Sequence, residues 1–301
     1  MAKRWREIKT PRRRVAIYLA LGLALMLGLV VAAPAQEAGG HIGSDTCAGC
    51  HDEVATAFTV TTHGRADLGD WTDAEGCESC HGPGEAHADE GDPELIRAFG
   101  ELSPDAVAST CTSCHSGLNQ TYWKGSTHQT MKLDCTSCHS AHKPWTDDRA
   151  LINKNKTDAC LSCHPAQRKS LNQRSNHPVK FGQMSCDNCH DPHGTAIEAS
   201  IGALSVNDKC WECHAETRGP FLWNHAPVQE DCMKCHDPHG SNQKMLLKLP
   251  PPRLCQSCHL FGHHQTVPGQ PDQVWNVNRS CLNCHPRIHG SNHPSGVIFM
   301  R

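Results

Sequence analysis

The chain has 301 residues, with 20 Cys and 23 His against only 6 Phe and 2 Tyr. Its aliphatic residues beyond the N-terminus are scattered, so side chains alone do not supply the core that a domain of this length needs. Residues 1–35 hold seven of the 28 basic residues and one of the 31 acidic ones; residues 36–301 therefore carry 21 basic against 30 acidic, a formal charge of −9, which excludes a nucleic-acid partner because that needs a basic surface.

Taken in chain order, residues 1–35 read as a targeting segment. Lys3, Arg4, Arg6, Lys9 and Arg12 to Arg14 form a basic stretch, Val15 to Ala33 are uncharged, and Ala33-Pro34-Ala35 is a small-residue cleavage site. We expect a signal peptide, although its 19 uncharged residues are also long enough to serve as an uncleaved anchor. In either case residues 36–301 lie outside the cytoplasmic membrane.

Every cysteine that follows belongs to a Cys-x-x-Cys-His motif. The ten are Cys47, Cys50, His51; Cys77, Cys80, His81; Cys111, Cys114, His115; Cys135, Cys138, His139; Cys160, Cys163, His164; Cys186, Cys189, His190; Cys210, Cys213, His214; Cys232, Cys235, His236; Cys255, Cys258, His259; and Cys281, Cys284, His285. Two thiols three positions apart suit addition to the two vinyl groups of one haem, and the adjacent His then reaches the iron as proximal ligand. A disulfide framework gives no reason for the trailing His, and zinc ribbons do not require it either. The expectation is ten covalently bound haem c groups.

The remaining histidines repeat with the motifs. Five dihaem modules span about residues 44–100, 108–150, 157–200, 207–247 and 252–301, with leading cysteines at 47, 111, 160, 210 and 255. Each carries one His between its motifs (His63, His128, His177, His225, and His263 or His264) and one just after the second motif (His87, His142, His193, His239, His289). This is the number that histidine on both faces of every iron requires, so these thirteen less His41, His293 and one of His263/His264 are read as distal ligands, with His289 and His293 in competition. Two imidazoles about 2 Å from one iron hold their Cα atoms roughly 12 Å apart, whereas three residues span at most about 11 Å. His142, His193 and His239, three positions after a proximal His, must therefore reach a neighbouring haem. Internal repetition of this kind implies a quasi-linear stack. With about 266 residues around ten haems, the predicted fold is a multihaem cytochrome c: irregular coil with short α-helices around a linear chain of haems and almost no β-strand.

Three stretches, Arg174-Ser-Asn-His-Pro-Val-Lys, Met184-Ser-Cys-Asp-Asn-Cys-His-Asp-Pro-His-Gly and Arg218-Gly-Pro-Phe-Leu-Trp-Asn-His-Ala-Pro-Val, together with the ending Arg279-Ser-Cys-Leu-Asn-Cys-His-Pro-Arg-Ile-His-Gly-Ser-Asn-His-Pro-Ser-Gly, carry a resemblance. From about Thr46 to Arg301 the chain resembles the MtrA/PioA/DmsE family of periplasmic decahaem cytochromes. The resemblance implies a periplasmic protein associated with the outer membrane, seated in a porin-like β-barrel partner. It would relay electrons between periplasmic or inner-membrane cytochromes and the cell exterior, where an extracellular multihaem cytochrome or reductase could meet it. Residues 36–301 have neither a long apolar run nor the alternating pattern of barrel strands. A soluble periplasmic shuttle is the alternative. A multihaem reductase, which needs an iron with an open sixth position, is disfavoured because all ten motifs end in His. Trp71, Trp123, Trp145, Trp211, Trp223 and Trp275 are expected to pack on porphyrin faces, and Met131, Met184 and Met233 are not needed as ligands.

Overall fold

The structure, a computed structural model, describes residues 39–66, 76–117, 120–143, 150–259 and 280–299. The targeting segment at residues 1–35, Trp71, Trp145, Trp275, His263 and His264 lie outside the described residues. His41–Arg301 form one compact unit. Among the described residues there is no β-strand, only isolated bridges, and no helix is long and apolar enough to cross a membrane. The architecture is short helices, single turns and coil, repeated along the chain, as the sequence predicts.

Each motif is one helical turn. In all ten, the backbone N–H of the motif His donates to the carbonyl of the leading Cys at 2.9–3.1 Å. One turn sets positions i, i+3 and i+4 on the same face, so both thiols and the imidazole point together without help from the rest of the protein. The two motifs of a module use different turns. Leading motifs sit on short α-helices: Cys47 in Ser44–Ala48, Cys111 in Pro104–Thr112, Cys160 in Lys156–Leu161, Cys210 in Val206–Trp211 and Cys255 in Arg253–Gln256. Four of the second motifs sit on single 3₁₀ turns, Cys135–Ser137, Cys186–Asn188, Cys232–Lys234 and Cys281–Asn283. Side-chain caps start them. Asn155 accepts the Asp158 N–H at 2.8 Å, Ser205 that of Asp208 at 3.0 Å, and Asp134 that of Ser137 at 3.1 Å.

The chain after a second motif doubles back in a clasp seen three times. Ser140 and Ile152 bond Ala150 and Cys138, Asp191 and Gly202 bond Ser200 and Cys189, and Asp237 and Lys248 bond Leu246 and Cys235, all at 2.8–3.0 Å. The clasp turns through left-handed backbone without glycine, at Ala150, Ala199, Ser200, Met245 and Leu246 with φ of 50–57°. Such conformations cost on the order of 1 kcal/mol each or more, so the flanking hydrogen bonds must hold them.

Modules meet through paired backbone bonds and buried glycines. Ser175 and Ser241 exchange two bonds at 2.8 Å, and Trp223 and Ser291 two at 3.0 Å. The glycines after His193, His239 and His289, namely Gly194, Gly240 and Gly290, have φ of 103°, 150° and 145°. A Cβ on Gly240 would lie 2.0 Å from the Ser170 carbonyl oxygen, and one on Gly290 would lie 2.1 Å from the Phe221 ring. Only a bare Cα lets each module press this closely on its predecessor.

An apolar core is nearly absent among the described residues: Val107, Ala108, Leu151, Leu171 and Val228 are its buried hydrophobic members, while Phe181 and Leu204 are 77% and 87% exposed. A large apolar group other than side chains has to fill the interior. Near the start of the unit, buried Glu78 gathers the backbone N–H groups of Gly43, Gly84 and Ile42 at 2.9, 2.8 and 3.1 Å. Burial pushes its carboxyl up, but these three donors outweigh burial and hold it below the usual carboxylate range.

Candidate cofactor sites

Nine of the ten motif histidines face a second histidine. Ring centroids are 5.8–6.4 Å apart in the pairs His51–His87, His81–His142, His115–His63, His139–His193, His164–His128, His190–His239, His214–His177, His236–His289 and His259–His225. An iron about 2 Å from each of two nitrogens, each just over 1 Å from its own ring centre, separates the centroids by on the order of 6 Å. In the His115–His63 pair the two Nε2 atoms face each other at 3.5 Å. Among the described residues no three His, Cys, Asp or Glu converge as an ion site. Each pair would offer an iron two imidazole nitrogens, and each motif would supply two thiols for covalent attachment. This donor set fits haem c.

The pairing follows a crossed rule. Histidines between motifs reach forward to the leading motif of the next module: His63 to His115, His128 to His164, His177 to His214, His225 to His259. Late histidines reach back to the second motif of the previous module: His142 to His81, His193 to His139, His239 to His190, His289 to His236. None of His142, His193 and His239 faces its own module's motif. The directions themselves were missed in the sequence; the glycine after each of His193, His239 and His289, which marks the backward junction, was the available signal. His289 makes the ring pair, whereas His293 accepts the Ser295 N–H at Nδ1 and the Trp223 Nε1–H at its carbonyl.

The thiols show how successive motifs neighbour each other. Within modules, leading thiols lie near enough to interact: Cys111 with Cys135, Cys160 with Cys186, Cys210 with Cys232, Cys255 with Cys281 and Cys47 with Cys77. Burial together with the Cys232 thiol pushes Cys210 up to about 11. Between modules the second thiols interact, Cys80 with Cys114, Cys138 with Cys163, Cys189 with Cys213 and Cys235 with Cys258. Motifs adjacent in sequence are therefore adjacent in space from the first to the last. All twenty cysteines are free of disulfides.

In several of these rings a hydrogen bond at Nδ1 sets the orientation, whereas the buried Nδ1 atoms of His63 and His225 have no such partner. The Nδ1–H of His81 donates to the Arg97 carbonyl at 2.8 Å, and His190 and His236 donate to Ala199 and Met245 at 2.7 Å. Among partner rings, His87, His128 and His177 donate to Asp92, Pro192 and Pro238 at 2.8–2.9 Å. A proton fixed on Nδ1 leaves Nε2 bare for iron. Burial pushes His63, His142, His193, His225, His239 and His289 below the ordinary imidazole value, favouring the neutral form that ligates. Phe99 and Phe58 pack on His81 and His142 at 5.3 and 6.1 Å, and Trp123 on His193 at 6.5 Å. Trp211 carries Arg218 5.5 Å above its ring. Met131 is 72% exposed.

A file of Cys-x-x-Cys-His turns with imidazoles opposed across a haem-sized gap defines a multihaem c-type cytochrome, a carrier of electrons. Family models agree: the doubled CXXCH motif matches residues 176–219 and 225–261, and the cytochrome c-type protein NrfB-like family matches residues 77–163. The chain is 40% identical over 274 residues to multiheme cytochrome MtrA of Shewanella baltica, covering 86% of this chain and 81% of that one, and it belongs to the MtrA family. Cytochrome c-type protein NrfB of Escherichia coli is 33% identical over 100 residues, 32% of this chain and 52% of its own. C-type polyheme cytochrome OmcB of Geobacter sulfurreducens is 27% identical over 237 residues, 62% of this chain and 27% of its own.

Proposed function

We propose that the protein carries ten haems, each held by histidine on both faces, and relays electrons across the outer membrane from inside a porin-like β-barrel partner. The observation that carries this reading is that successive motifs neighbour each other without a gap, through leading thiols within modules and second thiols between them. Haem, when bound, supplies one-electron iron chemistry. The chain holds each site with two thiols and two imidazoles, orients the rings through Nδ1, and keeps consecutive sites in contact. Filling both axial positions also leaves no open site for a substrate, so we read the protein as a relay and not a reductase. Module five's inner histidine, His263 or His264, is the tenth distal ligand in this reading.

Periplasmic or inner-membrane cytochromes would meet one end, and an extracellular cytochrome or reductase the other. The test places the holoprotein and its barrel partner in liposomes with a trapped dye. An external reductant should reduce the dye only when both are present. Reduction by neither, with the protein recovered from the soluble periplasm and absent from detergent-solubilised outer membrane, would support the shuttle instead. Intact mass should equal the chain from near Gln36 plus ten haems.

A further inference from the structure

The middle of the molecule contains Asp-Pro-His twice, at Asp191-Pro192-His193 and Asp237-Pro238-His239, each directly after a second-motif histidine. The first copy bonds two imidazoles directly and a third through the clasp it closes, and the three belong to three different pairs. Asp191 Oδ1 accepts the His193 backbone N–H at 2.9 Å and its ring Nδ1–H at 3.2 Å; His193 faces His139. The Pro192 carbonyl accepts the His128 Nδ1–H at 2.8 Å; His128 faces His164. The Asp191 N–H donates to the Ser200 carbonyl at 2.8 Å, closing the clasp whose Ala199 carbonyl accepts from His190 at 2.7 Å; His190 faces His239.

The second copy repeats this with one change. The Pro238 carbonyl accepts from His177 at 2.9 Å, and the Asp237 clasp presents the Met245 carbonyl to His236 at 2.7 Å. Asp237 Oδ1 still accepts the His239 backbone N–H at 3.1 Å, but it lies 3.9 Å from the ring nitrogen, beyond a hydrogen bond. The two aspartates therefore form an internal comparison: same fold, same backbone duties, but a ring contact in one only.

We propose that Asp191-Pro192-His193 is a positioning junction for three successive haems, and that the Asp191 carboxylate holds down the reduction potential of the haem at Cys135–Cys138. A carboxylate accepting Nδ1–H draws that proton away and gives the ring imidazolate character. Such a ring donates more strongly to ferric than to ferrous iron, so reduction becomes harder. Asp237, lacking the ring contact, does not do this for the haem at Cys186–Cys189. The inference rests on the ligation proposed above.

The experiment compares full-length Asp191→Asn and Asp237→Asn holoproteins, checked for ten haems by intact mass and for low-spin spectra, by spectroelectrochemical titration. In Asp191→Asn roughly one-tenth of the haem absorbance should move to higher potential, its reduction equilibrium constant rising about tenfold, while Asp237→Asn should overlay the parent. Asp191→Ser, which keeps a neutral acceptor for the His193 N–H, should shift in the same direction and serves if the amide impairs assembly. In the parent protein the hyperfine-shifted Nδ1 proton of His193 should exchange slowly with solvent. Unmoved potentials in the Asp191 variants, equal shifts in both aspartate variants, or rapid exchange of that proton would overturn the junction. A parent protein with fewer haems or high-spin iron would overturn the ligation reading instead.

Discussion

In modules two to four every imidazole pair joins two modules, whereas in module one His87 turns back onto His51 of its own module. The two regions have the same motifs and the same supply of histidines. They differ in the turn that carries the second motif and in the segment that follows it. In module one His51 takes its partner from within the module, and His87 supplies it. That closure needs no extra residue type. It needs a longer segment after the second motif, and the helix Glu85–Glu90 with the His87 bond to Asp92 supplies it.

The largest expected effect comes from breaking the interior. Replacing Cys160 and Cys163 with Ala should remove one haem and lower transmembrane electron transfer by orders of magnitude, measured in the liposome assay. The same deletion strands His128, the partner of His164, but takes no ligand from any other site, so the remaining low-spin signals should persist. An unaltered rate would break the single file.

Removing single ligands sharpens the contrast. His177→Ala should open the iron of the Cys210–Cys213 haem, one module away, and His87→Ala that of Cys47–Cys50 in its own module. Each should produce one carbon-monoxide-binding, high-spin haem. Combining His177→Ala with Cys210→Ala and Cys213→Ala should abolish the binding, whereas deleting a haem within module three should not. In module five, one of His263→Ala and His264→Ala should open one further iron and the other should not.

Junction packing ranks next. Gly240→Ala places a Cβ 2.0 Å from the Ser170 carbonyl oxygen at φ +150°, and should cost about 3 kcal/mol in denaturant unfolding of the holoprotein. Gly91, at φ +72° with nothing within 4 Å, ends a helix in module one, and Gly91→Ala should cost only about 1 kcal/mol. Equal costs would show that the interior junctions are not tightly packed.

The smallest effect is at Glu78. Its carboxyl is held below the usual range in the folded protein, so its contribution is present above the unfolded-state value and is lost as pH falls through the lower folded value. Glu78→Gln should lower stability by about 1–2 kcal/mol at neutral pH and flatten the loss on acidification. Parallel acid profiles for variant and parent would remove that role.

Much of this was legible in the residues because a motif is one turn, and one turn needs only its own five residues. Cys-x-x-Cys-His at Cys160 dictates its geometry wherever it sits. The reach of His142, His193 and His239 beyond their own haem was legible from bond lengths alone. The direction of that reach was not, because His63 and His128 are far enough from several motifs to serve any of them. The clasps were also hidden: Ala199, Met245 and Leu246 give no sign of left-handed backbone, which here is imposed by hydrogen bonds on both sides and not by residue type. His289 and His293 looked equivalent until Trp223 and Ser295 were seen to occupy the second.

The crossed ligand rule has a consequence in time. A chain is made from its N-terminus, so a forward-reaching histidine such as His177 exists before the motif it faces, and the site at His214 has both its imidazoles as soon as it is made. A backward-reaching histidine such as His239 is made after the site at His190, which stands half-furnished until nearly fifty further residues have followed. Biosynthesis thus divides the sites into a prompt set and a delayed set that alternate along the molecule, and each module is completed by the arrival of the next.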